Sequence, residues 1–254
     1  MATFLKSFCR FMKHEKQKEL TFWTFFTLEA LVLLGVFISC FGIFFFLTKE
    51  VFLDKNDTID KAAFAWAAAH RSVFMTELLE FITYFASKRF LVSVPLALTF
   101  FFLFFKKWRW FSAYILTATF SSFLLNQYLK NHFGRLRPET AFYHQSGFSF
   151  PSGHAMIGGA FYGSLIYLLW VNVQNKHLRW FLCGLLLLWE LIIAYSRVYL
   201  NVHYATDVIA GLSAGIFWCV LSVILVRQME LYFYNRNRKR RLDEIREMRK
   251  ARSL

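Results

Sequence analysis

Proline and glycine are scarce, with three and eleven in 254 residues. With so few breakers, the chain favours long helices. Cysteine is nearly as rare. Of Cys9, Cys40, Cys183 and Cys219, three fall in apolar stretches and none has metal-ligand spacing, so they read as packing residues, not as disulfides or a zinc site. Acidic residues number 16 against 30 basic ones, and no carboxylate cluster is available to hold magnesium or calcium. The net charge of +14 does not point to nucleic acid, because the basic clusters sit beside apolar spans. Neither an internal repeat nor a low-complexity linker is present. What is plentiful is apolar surface: 57% hydrophobic residues, 20% aromatic, 33 of them Phe. That is a membrane composition.

A helix needs roughly 20 apolar residues to cross about 30 Å of hydrocarbon. Six stretches come close, at about 22–48, 89–105, 109–128, 154–173, 180–196 and 207–226. The first is too long for a removable signal peptide and lacks a small-residue cleavage site, so it reads as a retained signal anchor. With the N-terminus inside, most of the 30 Lys and Arg fall in the N-terminal segment, the turns near 106–109 and 174–179, and the tail. The positive-inside bias therefore predicts both termini in the cytoplasm, in agreement with an even number of spans. Phe74, Leu78, Phe81, Ile82 and Phe85 recur at helical spacing in the first outer loop, which predicts amphipathic helices on the membrane surface. The expected fold class is an all-α integral membrane protein of six transmembrane helices. It divides into a basic segment 1–21, a six-span domain 22–226 and a basic tail 227–254, which reads as a topology determinant resting on anionic lipid.

Polar residues beside membrane spans are costly, so clusters of them call for a reason. Three stand out: KNHFGRLRP at 130–138, PSGH at 151–154, and SRVYLNVHYATD at 196–207. Span parity puts all three on the outer face without any assumption about function. Lys130, Arg137 and Arg197 offer cations suited to phosphate oxygens. Because Arg137 precedes Pro138, the third span should end before it. Ser152 and Gly153 stand at the start of an apolar helix, whose free N–H groups and dipole favour an anion. His203 and Asp207 lie four apart, with the aspartate placed to fix the tautomer of a nucleophilic imidazole. His154 is suited to protonate a leaving oxygen.

These residues resemble the type 2 phosphatidic acid phosphatase family, whose pattern is K-x6-RP, then PSGH, then SR-x5-H-x3-D. Lys130 with Arg137 and Pro138, then Pro151 to His154, then Ser196, Arg197, His203 and Asp207 occupy every motif position. The likeness covers roughly 57–227. Asn201 and Ala205 stand where relatives often carry glycine and proline. The resemblance implies a metal-independent phosphohydrolase of six spans, without cofactor, in a bacterial cytoplasmic membrane with a periplasmic or extracellular site. By it His203 becomes a phosphohistidine, Asp207 orients it and His154 is the general acid. Lys130, Arg137, Ser152, Gly153 and Arg197 bind the phosphate. Implied substrates are phosphatidylglycerol phosphate, phosphatidic acid, undecaprenyl pyrophosphate or lipid A phosphates.

Two rivals use the same residues. A phosphotransferase would pass the phosphoryl group to a second lipid. A non-enzymatic binder or transporter of phosphorylated lipid would need the cations but not both His154 and His203. His132, Arg135 and His144 share the first motif's loop and read most plainly as a solvated face. Glu29 and Glu190 fall inside spans, where an ionised carboxylate facing lipid would be expensive; protonation or an interhelical hydrogen bond is expected.

Overall fold

In a computed structural model the described residues are 31–105, 108–143 and 145–251, and among them every regular element is helical. In chain order these are α1 (Leu31–Phe52), α2 (Thr58–Ala69), α3 (Val73–Thr83) with a 3-10 turn (Tyr84–Ala86), α4 (Lys88–Leu103), α5 (Arg109–Phe133), α6 (Gly153–Asn172), α7 (Lys176–Tyr199) and α8 (Ala205–Ala251). Cys9, Glu29 and His144 lie outside the described residues.

Among the described residues four helices are long and apolar enough to cross a membrane: α1, α6, α7 and α8 as far as Glu244. The bent pair of α3 with its turn and α4, at 44°, makes a fifth if it acts as one span. The stretch expected as the third span forms the 25-residue α5 but falls short of that measure. The reason is its buried face, which carries Ser112, Thr119, Ser122 and Asn126. α5 spends its polar side chains on the bundle interior, where neighbouring helices can satisfy them.

α6 is the axis of the assembly, packed against α5, α7 and α8. Small residues let its backbone meet that of α8: Gly159 and Gly163 on one helix, Gly211 and Gly215 on the other, each pair four apart. A Cβ at Gly211 would lie 2.7 Å from the Ser152 carbonyl oxygen. Close approach of this kind is how helices associate where apolar lipid gives no hydrophobic drive. Here it has a functional consequence, because it presses the start of α8 against the start of α6.

α1 is mostly exposed and touches the bundle through aromatic rings. Phe37 stacks on Phe217 at 4.2 Å, and Phe52 stacks on Phe133 at 4.8 Å beside the buried Phe150. Cys40, Cys183 and Cys219 are buried free thiols. α2 is tied to the start of α8, where Asp60 accepts the Thr206 N–H and hydroxyl, each at 2.9 Å.

Candidate active site

The three polar clusters meet at one end of the bundle. α5 stops at Gly134, whose left-handed φ of 60° suits a residue without a Cβ and turns the chain before Arg137 and Pro138. α7 runs on to Tyr199, so Arg197 lies in its last turn, wholly buried. Asn201 follows with φ 52°, the conformation glycine takes most easily, and asparagine is the next best choice there. Ala205 is the first residue of α8, the position where a proline fits a helix without losing a bond. Both departures from the family pattern therefore keep the backbone that the pattern requires.

The cations are held by neutral groups. Lys130 Nζ donates to the Phe148 and Ser149 carbonyls at 2.5 and 3.2 Å. Arg137 donates to the Gly147 carbonyl at 3.0 Å and to the Val202 carbonyl and Gln145 Oε1 at 2.9 Å. Arg197 donates to Thr83 Oγ1 and Tyr143 Oη at 2.7 Å and to Gln145 Oε1 at 3.0 Å. Gln145 thus ties two guanidinium groups together. Ser152 occupies the N-cap position of α6 without capping it; its hydroxyl is buried and bonds no protein group. Arg197 Nε is likewise buried without a protein partner. Two orphaned donors beside a helix start suit an incoming anion.

His203 is 1% exposed. Its Nε2 lies 3.1 Å from Arg137, and its Nδ1 lies 3.1 Å from Ser149 Oγ and 3.4 Å from Asp207 Oδ2. Ser149 Oγ donates a short hydrogen bond to that same Asp207 oxygen. The His203–Asp207 pair suggested by the sequence is therefore present and is joined by Ser149, whose hydroxyl contacts both partners. Burial, then Lys130, Arg137 and Arg197, hold the His203 imidazole well below its ordinary pKa, which favours its neutral form. His154, in the first turn of α6, lines the same cavity.

Arg135 corrects the sequence reading. It is not on a solvated loop face. Its guanidinium bridges Asp207 at 2.5 Å and Asp60 at 2.7 Å, and it lies 3.9 Å over the Tyr204 ring. His132 is exposed, as the plain reading expects. Glu190 is buried against Gly158 with no hydrogen bond to either oxygen, so the expected interhelical bond is not formed. Asp60, Thr83, Tyr143, Gln145 and Ser149 escape sequence reasoning, since none carries a motif of its own.

From the imidazoles and cations a cavity of about 710 Å³ runs down between α4 and α5, lined by Leu91, Leu96, Leu116, Phe120, Phe123 and Ile157. Lys130 and Leu116 both line it, so it follows α5 for about 20 Å at 1.5 Å per residue. One polar end and one long apolar flank match a molecule with a charged head and a hydrocarbon tail.

The PAP2 superfamily pattern matches residues 111–230, the stretch that holds all three clusters. Over those residues the chain carries a PAP2 superfamily domain. Its relatives include phosphatidylglycerophosphatase B of Bacillus subtilis, 29% identical over 184 residues, which span 70% of this chain and 89% of that one. The lipid A 1-phosphatase of Rhizobium etli is 32% identical over 135 residues, 49% of this chain and 54% of the relative, so only about half of that enzyme is matched. A crystal structure of a transmembrane PAP2-type phosphatidylglycerolphosphate phosphatase from Bacillus subtilis superposes with a TM-score of 0.69 at 28% identity, covering 76% of this chain and 96% of that one. This PAP2 chain is accordingly an enzyme of the phosphatase class, built as a helical membrane protein.

Proposed function

We propose that the chain removes a phosphate group from a membrane lipid through a phosphohistidine on His203, at the outer face of the membrane. The observation that carries this reading is the junction of two imidazoles, Lys130 and Arg137 with the head of an apolar groove, with Arg197 tied to Arg137 through Gln145. A lipid lying in the groove between α4 and α5 would bring its phosphate to Lys130, Arg137, Arg197, the Ser152 hydroxyl and the Gly153 N–H. Arg137 would exchange its hold on His203 Nε2 for a phosphate oxygen. The freed Nε2 attacks phosphorus as the bond to the lipid oxygen breaks, and His154 donates its proton to that oxygen. Water then attacks the phosphohistidine, giving its proton to His154, and leaves inorganic phosphate with His203 restored. Ser149 and Asp207 stabilise the charge that develops on the imidazole. Most of the rate enhancement in phosphoryl transfer comes from such positioning and charge stabilisation.

In this reading α1 and α4 to α8 are the six crossings, both termini are cytoplasmic and α2 and α3 belong to the outer loop. The domain comprises 22–226, flanked by the basic segments 1–21 and 227–254. The names of the relatives support phosphatidylglycerol phosphate or a lipid A phosphate as substrate. Phosphate release by the purified protein in EDTA tests the proposal. Wild type is expected to turn over, and His203→Ala to lose at least about 10⁴-fold, the scale of losing a nucleophile. Unchanged turnover in the variant would remove His203 from its role.

A further inference from the structure

Asn126 sits one helical turn below Lys130 on α5, about 6 Å deeper along the helix, and lines the cavity. It is 1% exposed. Its amide nitrogen donates to the Pro151 carbonyl at 3.3 Å and faces Met156 Sδ at 3.4 Å. A carbonyl can only accept, so the amide cannot be turned round, and Oδ1 points the other way. That oxygen is buried with no partner in the protein. It lies beside Gly153, where an added Cβ would come within 3.2 Å of it. Asn126, Gly153 and His154 line the cavity together, so with no side chain at 153 Oδ1 sits just behind the cavity wall next to His154.

Of the other orphaned polar atoms, Arg197 Nε is a donor and the Ser152 and Thr119 hydroxyls can donate, as phosphate or other ester oxygens require. Asn126 Oδ1 is an acceptor, and an ionised phosphate has no proton to give it. Its partner must be a donor on the leaving-group side. We infer that Asn126 is a specificity-determining residue that accepts a hydrogen bond from a hydroxyl carried by the lipid next to its phosphate ester, as on a glycerol headgroup. The inference rests on the phosphatase reading above. A site that holds a substrate hydroxyl in this way discriminates against the analogue lacking it, because the buried acceptor is then left unpaired.

The test compares phosphatidylglycerol phosphate with an analogue of the same acyl chains whose headgroup hydroxyl is replaced by hydrogen. Both are assayed in mixed micelles with the full-length protein. Wild type is expected to favour the hydroxyl lipid in kcat/KM by about tenfold or more. Asn126→Leu removes the preference, losing about tenfold more on the hydroxyl lipid than on the analogue. Asn126→Asp, which keeps an acceptor in place, retains the preference even if its rate falls. Equal losses on both lipids would assign Asn126 to water or to loop support and overturn the inference. So would a wild type indifferent to the hydroxyl, a result that stands even if the leucine variant does not fold. A wild type that released no phosphate from any lipid would instead bring down the phosphatase reading itself.

Discussion

Arg135, partly buried, and Arg197, wholly buried, lie at the same end of the bundle, yet they stand in opposite electrostatic conditions. Arg135 is matched by two carboxylates, Asp60 and Asp207. Arg197 is surrounded by a threonine, a tyrosine and a glutamine, and among the described residues neither it, Arg137 nor Lys130 forms an ion pair. A buried charge is expensive unless paired. The Arg135 side is paired and reads as architecture, fastening α2 to α8 and holding Asp207. The Arg197 side keeps its positive charge without a carboxylate partner, the condition that the proposed phosphate site requires.

Methionine replacements test this contrast most strongly. Arg135→Met leaves two buried carboxylates without their cation and is expected to cost about 3–5 kcal/mol of stability, read by denaturation in detergent. Arg197→Met removes a charge that had no counterion, so its stability change should stay below about 2 kcal/mol, while turnover falls about a hundredfold. Equal destabilisation by the two would erase the distinction. Ser149 stands on the boundary, its hydroxyl between His203 and Asp207. Ser149→Ala is expected to lower kcat about tenfold with KM little changed, the scale of one hydrogen bond lost near a charge.

The smallest effect is one of pH. His203 is held below the ordinary imidazole value of about 6.5, by burial first and then by Lys130, Arg137 and Arg197. The acid limb of kcat/KM that it controls should therefore lie below pH 6.5. Arg197→Met, with one fewer cation nearby, should move that limb upward. The linkage to stability has the same sign. Below about 6.5 the unfolded chain takes up a proton that folded His203 refuses, so this contribution is present above that pH and is lost as pH falls through the depressed value. A limb at or above 6.5 in the wild type would contradict the assigned environment.

Much of the site was legible because its chemistry is written in short local patterns. Lys130 with Arg137, the run from Pro151 to His154, and Arg197 with His203 and Asp207 each carry a fixed spacing, and helix parity alone brings their ends together. The supporting groups were not legible, for a reason of distance. Asp60 reaches Arg135 and Thr206 across 75 and 146 positions, and Thr83 reaches Arg197 across 114. Arg135 looked solvated because its partners could not be seen from its own loop. α5 was expected as the third span, yet it falls short of the apolar measure. Its Ser, Thr and Asn content dilutes the apolar signal, and only packing reveals that those side chains turn inward.

From the sequence alone came the helical membrane character, the division into apolar stretches and basic flanks, and the set of candidate site residues. These follow from composition and from periodicities read within a few residues. Tertiary structure alone decided which charges are neutralised and which are not, that a serine contacts both His203 and Asp207, and that an apolar groove ends at the imidazoles. Each of those depends on which atoms fill the last few ångströms around a buried group, and that is set by how the glycines of α6 and α8 let two distant segments touch.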